Sequence, residues 1–289
     1  MALDNLIPSE LMNAYVITQL QKEQVAANVI SNDYATLVSN YGDSVKIPSL
    51  EALTASDYTK NSTLTYGTLD SAGTILQINQ QKYIANSVDF IDDDQAISNI
   101  TQTVMDETSY SLALTADTYL LQTTFSAGAG IIGGTGTRAL GTASTPITVN
   151  SAASGVLDYV GRVAQRMDEG DVPQMGRWLV VPPWFHNYLV QNKVIDTRGT
   201  ANDETFANGK VGRVLGFDIR VSNNLTNASA SGSHIYAGIR KSVEFADKLI
   251  NMEIRQLETK FGYGVRGLYV FGAVVARGDT LVKGIVSQG

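Results

Sequence analysis

The sequence predicts an α+β chain, and three stretches carry that prediction. Residues 92–127 run without Gly or Pro behind an acidic triplet, residues 75–91 alternate apolar with polar, and residues 251–289 are dense in strand formers. The first pattern has helical period, the second has strand period, and the third alternates before lengthening into apolar runs.

The long helix opens at Asp92-Asp93-Asp94 and places Ile97, Ile100, Val104, Thr108, Leu112, Ala116 and Leu120 at steps of three or four residues. Those steps draw one stripe along one face. Acidic residues at its start cap free N–H groups and suit the positive end of the helix dipole. Thirty or so residues at 1.5 Å each make a rod of roughly 45 Å, a spine that needs a broad partner surface.

Ahead of the spine, Pro8-Ser9-Glu10 reads as a helix start, with Met12, Tyr15, Val16, Gln19, Leu20 and Ala27 following at helical spacing. Gly42-Asp43-Ser44-Val45-Lys46-Ile47-Pro48 is a turn entering a strand, and the chain is then polar to about Gly73. From Ile75 to Ile91, Leu76, Ile78, Ile84, Val88 and Phe90 share one face. One strand over that span would reach roughly 55 Å, which reads as a projecting hairpin; two shorter strands broken near Gln80-Gln81-Lys82 are the alternative.

Behind the spine, residues 128–148 form a loop rich in Gly, Ala, Ser and Thr. A helix is expected over Ser154–Glu169, a buried strand over Trp178–Val181 stopping at Pro182-Pro183, and a short helix bearing Trp184, Phe185, Tyr188 and Leu189. Beyond a polar loop at 196–208, strands are expected at Asp218–Ser222 and Ile235–Gly238, with a helical turn over Lys241–Lys248. Met252 and Ile254 alternate with Glu253 and Arg255; further strands cover Phe261–Val265, Leu268–Ala276 and Thr280–Val286.

Composition excludes several functions. No Cys means no disulfide, thiolate metal site or Cys nucleophile, and His186 and His234 alone cannot form a His-rich metal cluster. The start lacks a basic segment before an apolar core, and no run is long enough to span a membrane, so a soluble cytosolic chain is expected. A net charge of −7 opposes sequence-independent DNA binding by the whole molecule. Residues 1–130 carry 15 acidic and 4 basic side chains while residues 131–289 carry 13 and 17, a split that could draw copies together or be chance.

Motifs for chemistry are few. Gly128-Ala-Gly130-Ile-Ile-Gly133 spells a dinucleotide fingerprint, yet a helix precedes it, no helix follows, and the next acid is Asp158. Asp92-Asp93-Asp94 lacks the spacing and Gly of a calcium loop, so capping explains it. Arg277-Gly278-Asp279 sits between two apolar strands and reads as a hairpin turn. No catalytic residue, cofactor site or metal site is expected.

Order supplies what single motifs do not. Arm, strand entry at Gly42–Pro48, polar turn, alternating Ile75–Ile91 and acid-capped spine are followed by Ala116-Asp117-Thr118-Tyr119-Leu120-Leu121. Then come Val180-Val181-Pro182-Pro183, Gly209-Lys210-Val211-Gly212, Gly216-Phe217, Ser222-Asn223-Asn224-Leu225 and Gly272-Ala273-Val274-Val275. In this order the chain resembles the major capsid proteins of tailed bacteriophages, the group without a large inserted domain. The resemblance implies an N-terminal arm at 1–44, an extended β-hairpin loop at 45–91, and a peripheral domain with the spine helix at 92–150 and 251–276. It implies an axial domain at 151–250, with 277–289 returning to it. It also implies self-assembly into hexamers and pentamers of an icosahedral virion shell around double-stranded DNA, put together in the host bacterial cytoplasm. Portal, scaffolding and cement proteins are further partners, and no membrane or cofactor is involved. Inter-subunit contacts are expected from Tyr66, Gly67, Asp70 and Gly73 at the loop tip and from Leu11, Tyr15 and Leu20 in the arm. Some members of the family weld the loop to a neighbour through a Lys and an Asn; Lys60 and Lys82 fall in the loop, but no partner or catalytic carboxylate is identifiable. Two other readings compete: an encapsulin-like nanocompartment shell around a cargo enzyme, and a nucleotide-dependent α/β enzyme built on Gly128–Gly133.

Overall fold

Twelve strands form three sheets among the residues that the computed structural model describes, namely 25–37, 41–50, 71–91, 100–134, 136–150, 153–191, 213–227 and 232–289, with positions 55, 57, 59–61 and 63. The smallest sheet is a hairpin in which β1 (Ser44–Leu50) and β2 (Ser71–Gln77) pair antiparallel, from Ser44 opposite Gln77 out to Leu50 opposite Ser71. The second has the order β10 (Val243–Gln256), β11 (Gly262–Val275), β3 (Gln80–Asp89), all antiparallel. The largest joins β4 (Ile131–Ile132), β12 (Val282–Gln288), β9 (Ser233–Ile239), β6 (Arg177–Val181), β8 (Phe217–Val221) and β7 (Arg213–Val214), with β5 (Ile147–Val149) also on β12.

The spine is helical from Ile100 through Gly128: α-helix to Tyr119, a π turn over Leu120–Thr124, and a last α turn Phe125–Gly128. Thr108, Leu112, Ala116 and Leu120 of the expected stripe are buried. The π turn takes up an additional residue, so Leu121 and Phe125 join them on the buried side. Ile97 and the acidic triplet lie outside the described residues.

Three expectations need correction. The single strand over Ile75–Ile91 gives way to its alternative of two strands, parted at Ile78-Asn79 just before Gln80 and lying in different sheets. Alternation is continuous across the break, but Leu76 and Ile78 pack into the hairpin's cluster and Ile84 against that of the spine. The helical turn expected over Lys241–Lys248 is a 3-10 turn at Arg240–Ser242 followed by strand. Val243, Glu244, Phe245 and Ala246 are all buried, and a strand covered on both faces shows no period of two. Lastly, Arg277-Gly278-Asp279 is not a hairpin turn but carries the chain from β11 to β12, in another sheet.

The largest sheet is covered on both faces. Leu179 and Val181 face helices Ala153–Glu169 and Pro183–Gln191 in one core, while Trp178 and Val180 face the spine in another. That second core also holds Phe245 and Phe271 of the three-stranded sheet, so it is continuous across both sheets.

Candidate assembly interface

The hairpin and the N-terminal segment meet the body at a few defined points, and the side chains at those points are the ones to build up first. The first such point is Asp117. It lies on the spine beside Ala116, with 2% of its surface exposed. Its Oδ1 accepts the amides of Val25 (2.9 Å) and Ala26 (2.7 Å), and its Oδ2 accepts Asn224 Nδ2 at 2.7 Å. Val25 and Ala26 open the short arm helix Ala26–Val29, whose N-cap residue has no side-chain oxygen to offer. A carboxylate from a distant helix therefore does the capping. Burial pushes the Asp117 pKa above the usual carboxylate range, and the hydrogen bonds from Asn224, Ala26 and Val25 pull against that.

A second carboxylate holds the other end of the same segment. The Ser31 amide donates to the Val243 carbonyl (3.1 Å) and the Phe245 amide to the Ser31 carbonyl (3.0 Å), laying residue 31 along the start of β10. Glu244 between them is 4% exposed, and its pKa is raised by burial and by the Asp33 carboxylate, against hydrogen bonds from Ser31 and the Asp33 amide and the charge of Lys241. Its Oε2 has no hydrogen-bond partner among the described residues. Val25, Ala26, Val29 and Ile30 complete the anchorage by packing into the spine core.

The hairpin β1–β2 joins the body through one cluster: Ile47, Leu76 and Ile78 against Ala246 and Val270. Gly272 makes the join possible, because a Cβ there would strike the Gln77 carbonyl. Ile75 on the hairpin remains 59% exposed. Gly73, expected at the tip, stands on the stem opposite Pro48 and against the Lys46 side chain. Tyr66, Gly67, Asp70, Leu11, Tyr15 and Leu20 lie outside the described residues.

Where the spine ends, glycines let two connections touch. The Gly130 amide donates to the Gly278 carbonyl at 2.7 Å, and a Cβ on Gly128 would overlap the Val275 side chain. The fingerprint letters are thus used for close packing at the end of a helix, and the dinucleotide reading loses its geometry. Lys283 donates to Ser126 Oγ at 2.7 Å, setting its charge at the negative end of the helix.

The histidines are quiet. His234 Nδ1 lies 3.0 Å from the Tyr236 hydroxyl, and burial, with help from Lys283, lowers its pKa to about 4. Burial also lowers that of His186. Among the described residues no group of three His, Asp or Glu could hold a metal ion, and no helix is long and apolar enough to cross a membrane.

The sequence motifs Ala116–Leu121 and Ser222–Leu225 meet in space through Asp117 and Asn224, a pairing that sequence reasoning missed. The available signal was a lone acid beside the apolar stripe. Nothing local pointed to Glu244.

A family model described as phage capsid protein matches residues 72–284. A solved structure from Mycobacterium phage Che8 is similar at 22% identity and a TM-score of 0.76, over 98% of each chain. The capsid structure of cyanophage P-SCSP1u is similar at 16% identity and 0.71, over 96% of this chain and 91% of that one. The mature capsid of bacteriophage PhiM1 is similar at 15% and 0.67, over 95% and 90%. A search of curated protein sequences found no match.

Proposed function

The chain belongs to the phage capsid protein family, and from that premise we propose how its parts build a shell. It is a structural capsid protein, not an enzyme. Copies form hexamers and pentamers that close into an icosahedral shell around double-stranded DNA, assembled in the cytoplasm of the host bacterium. Portal, scaffolding and cement proteins are the further partners.

In this reading the three-stranded sheet with the spine is the peripheral domain and the seven-stranded sheet with its two helices is the axial domain. Division by sheet departs from the expected boundaries in three places. β3 leaves the extended loop for the peripheral domain, β4 and β5 leave the peripheral domain for the axial one, and β10 begins the peripheral return at Val243. Residues 1–44 act as the arm, with Leu11, Tyr15 and Leu20 on a neighbour, and the loop presents Tyr66, Gly67 and Asp70, with Gly73 on its stem, to another.

The observation that carries the reading is the hairpin β1–β2, tied to the body at one end and bearing an exposed Ile75. A two-stranded ribbon is marginal in water, so its stability calls for a neighbour to lie on. Many such contacts, each weak, add up through closed symmetry.

Electron microscopy of the expressed chain tests this. Closed particles containing DNA in the infected cell support it, particles filled with a cargo protein instead would favour a nanocompartment, and a chain that stays monomeric at every concentration would overturn both.

A further inference from the structure

Residues 25–33 form a strap fastened to the body near both ends, and each fastening is a carboxyl group that the body supplies. At one end Asp117 of the spine accepts the amides of Val25 and Ala26 at 2.9 and 2.7 Å. At the other, Glu244 of β10 accepts hydrogen bonds from the Ser31 side chain and the Asp33 amide. At both points the strap supplies donors and the body acceptors. An Asn and a Gln could accept bonds of this kind without carrying charge into the interior.

The surroundings of both carboxyls favour the neutral form. Asp117 and Glu244 are 2% and 4% exposed, and neither belongs to an ion pair among the described residues. Facing Asp117 are the two strap amides and the Asn224 side chain from the Ser222–Leu225 segment, none of them charged. Facing Glu244 are the Asp33 carboxylate of the strap, which repels it, and Lys241 of the turn before β10, which attracts it. Its Oε2 meets no donor among the described residues. Burial raises both pKa values, and Asp33 adds to the rise at Glu244. Lifting the strap uncovers both groups; an ionised carboxyl then regains its hydration, whereas a protonated one has little to regain.

We propose that the strap is a proton-operated latch, locked while Asp117 and Glu244 are protonated and loosened when they ionise. Val25, Ala26, Val29 and Ile30 are buried in the spine core and oppose opening at every pH, so the carboxyls set how often the strap opens. The two act together, because one opening relieves both. Closed chain binds both protons more tightly than open chain. Closure is therefore strongest below the unperturbed carboxyl value of about 4 and weakens as pH rises through the raised values. Opening frees residues 25–33, roughly 30 Å of added reach for the arm, while Tyr34 and Ala35 stay packed at the root of the hairpin. The latch stands on this geometry; only the neighbour that the lengthened arm meets rests on the shell reading above.

Hydrogen exchange of the dissociated chain, followed by mass spectrometry as protection relative to the intrinsic amide rate, tests it. Between about pH 4.5 and about pH 8 the protection of residues 25–31 is expected to fall at least about tenfold, while that of the buried strand β12 falls far less. Asp117→Asn and Glu244→Gln should each remove part of the fall, and the double variant should stay protected at the higher pH.

Equal protection of residues 25–31 at both pH values in the wild-type chain would overturn the proposal, as would a double variant whose protection falls as far as that of the wild type. A fall matched by β12 would overturn it too, because the whole fold would then be titrating. A chain that forms no particles would strike the shell reading and leave the exchange result to decide the latch.

Discussion

Asp117→Ala is the sharpest probe of how the arm is held. The substitution removes the acceptor of three hydrogen bonds, two of them from the amides of Val25 and Ala26, which are 1% and 0% exposed. Each orphaned buried donor costs about 1–3 kcal/mol, and losing a buried carboxylate that no cation among the described residues neutralises gives part of that back, so a net loss of about 2–4 kcal/mol is expected. Asp117→Asn keeps an oxygen for both amides and turns an NH2 toward Asn224, whose amide can rotate to accept it, so the loss should stay within about 1 kcal/mol. The sign of the pH dependence follows from the raised pKa. Folded chain binds this proton more tightly than unfolded chain, so the contribution of Asp117 to stability improves as pH falls through the raised value and is complete below the unfolded value of about 4. It is lost again as pH rises, and Asp117→Asn should abolish that component. Trp178 packs in the same core as the arm helix, 5.5 Å from Phe125, so its fluorescence during urea unfolding reports on the anchorage in a Trp184→Phe background. Asp117→Ala within about 0.5 kcal/mol of wild type, or Asp117→Asn as damaging as Asp117→Ala, would refute the capping argument.

Three further outcomes are expected. Deleting residues 62–72 should leave the helical circular dichroism signal intact and abolish particles under the electron microscope, because the loop is removed and the body is not. Gly130→Ala puts a Cβ 2.5 Å from the Gly278 carbonyl, where backbone opposes backbone; a loss of about 1–3 kcal/mol should appear in thermal unfolding, with no change in dinucleotide binding by calorimetry. Glu244→Gln should be tolerated within about 1 kcal/mol at neutral pH, since burial raises the pKa of this carboxyl and Oε2 has no partner among the described residues; a urea titration read by circular dichroism checks it.

Local period made the element types legible. The stripe Thr108–Leu112–Ala116–Leu120 is buried as its spacing implies, and both helices of the seven-stranded sheet lie where apolar residues recur at helical steps. Assignment to sheets was not legible. Leu76, Ile78, Ile84 and Val88 share one parity along the chain, and parity is silent about the change of sheet at Ile78-Asn79. Val243–Ala246 lost its strand signature because both faces are covered. Asp117 and Asn224 are 107 residues apart, and their partnership exists only once the spine and the seven-stranded sheet are packed. Contacts of that range leave no periodic trace.

The chain crosses between the two large sheets three times, at residues 128–131, 239–243 and 275–282, and the crossings are bonded to one another. Gly130 donates to Gly278, the amides of Ala276 and Arg277 donate to the Ser242 carbonyl at 3.0 and 3.1 Å, and Ser242 Oγ lies 2.8 Å from Thr280 Oγ1. Backbone bonds at closest approach, over a core that spans both sheets, resist rotation far better than side-chain contacts alone. The two sheets therefore behave as one body. If copies occupy both hexamers and pentamers as proposed, the difference in angle cannot be absorbed at this waist. It must fall on the hairpin, which is hinged at Ile47, Leu76 and Ile78. That places the strain of closure on a two-stranded ribbon held to the body by one apolar cluster, where bending costs least.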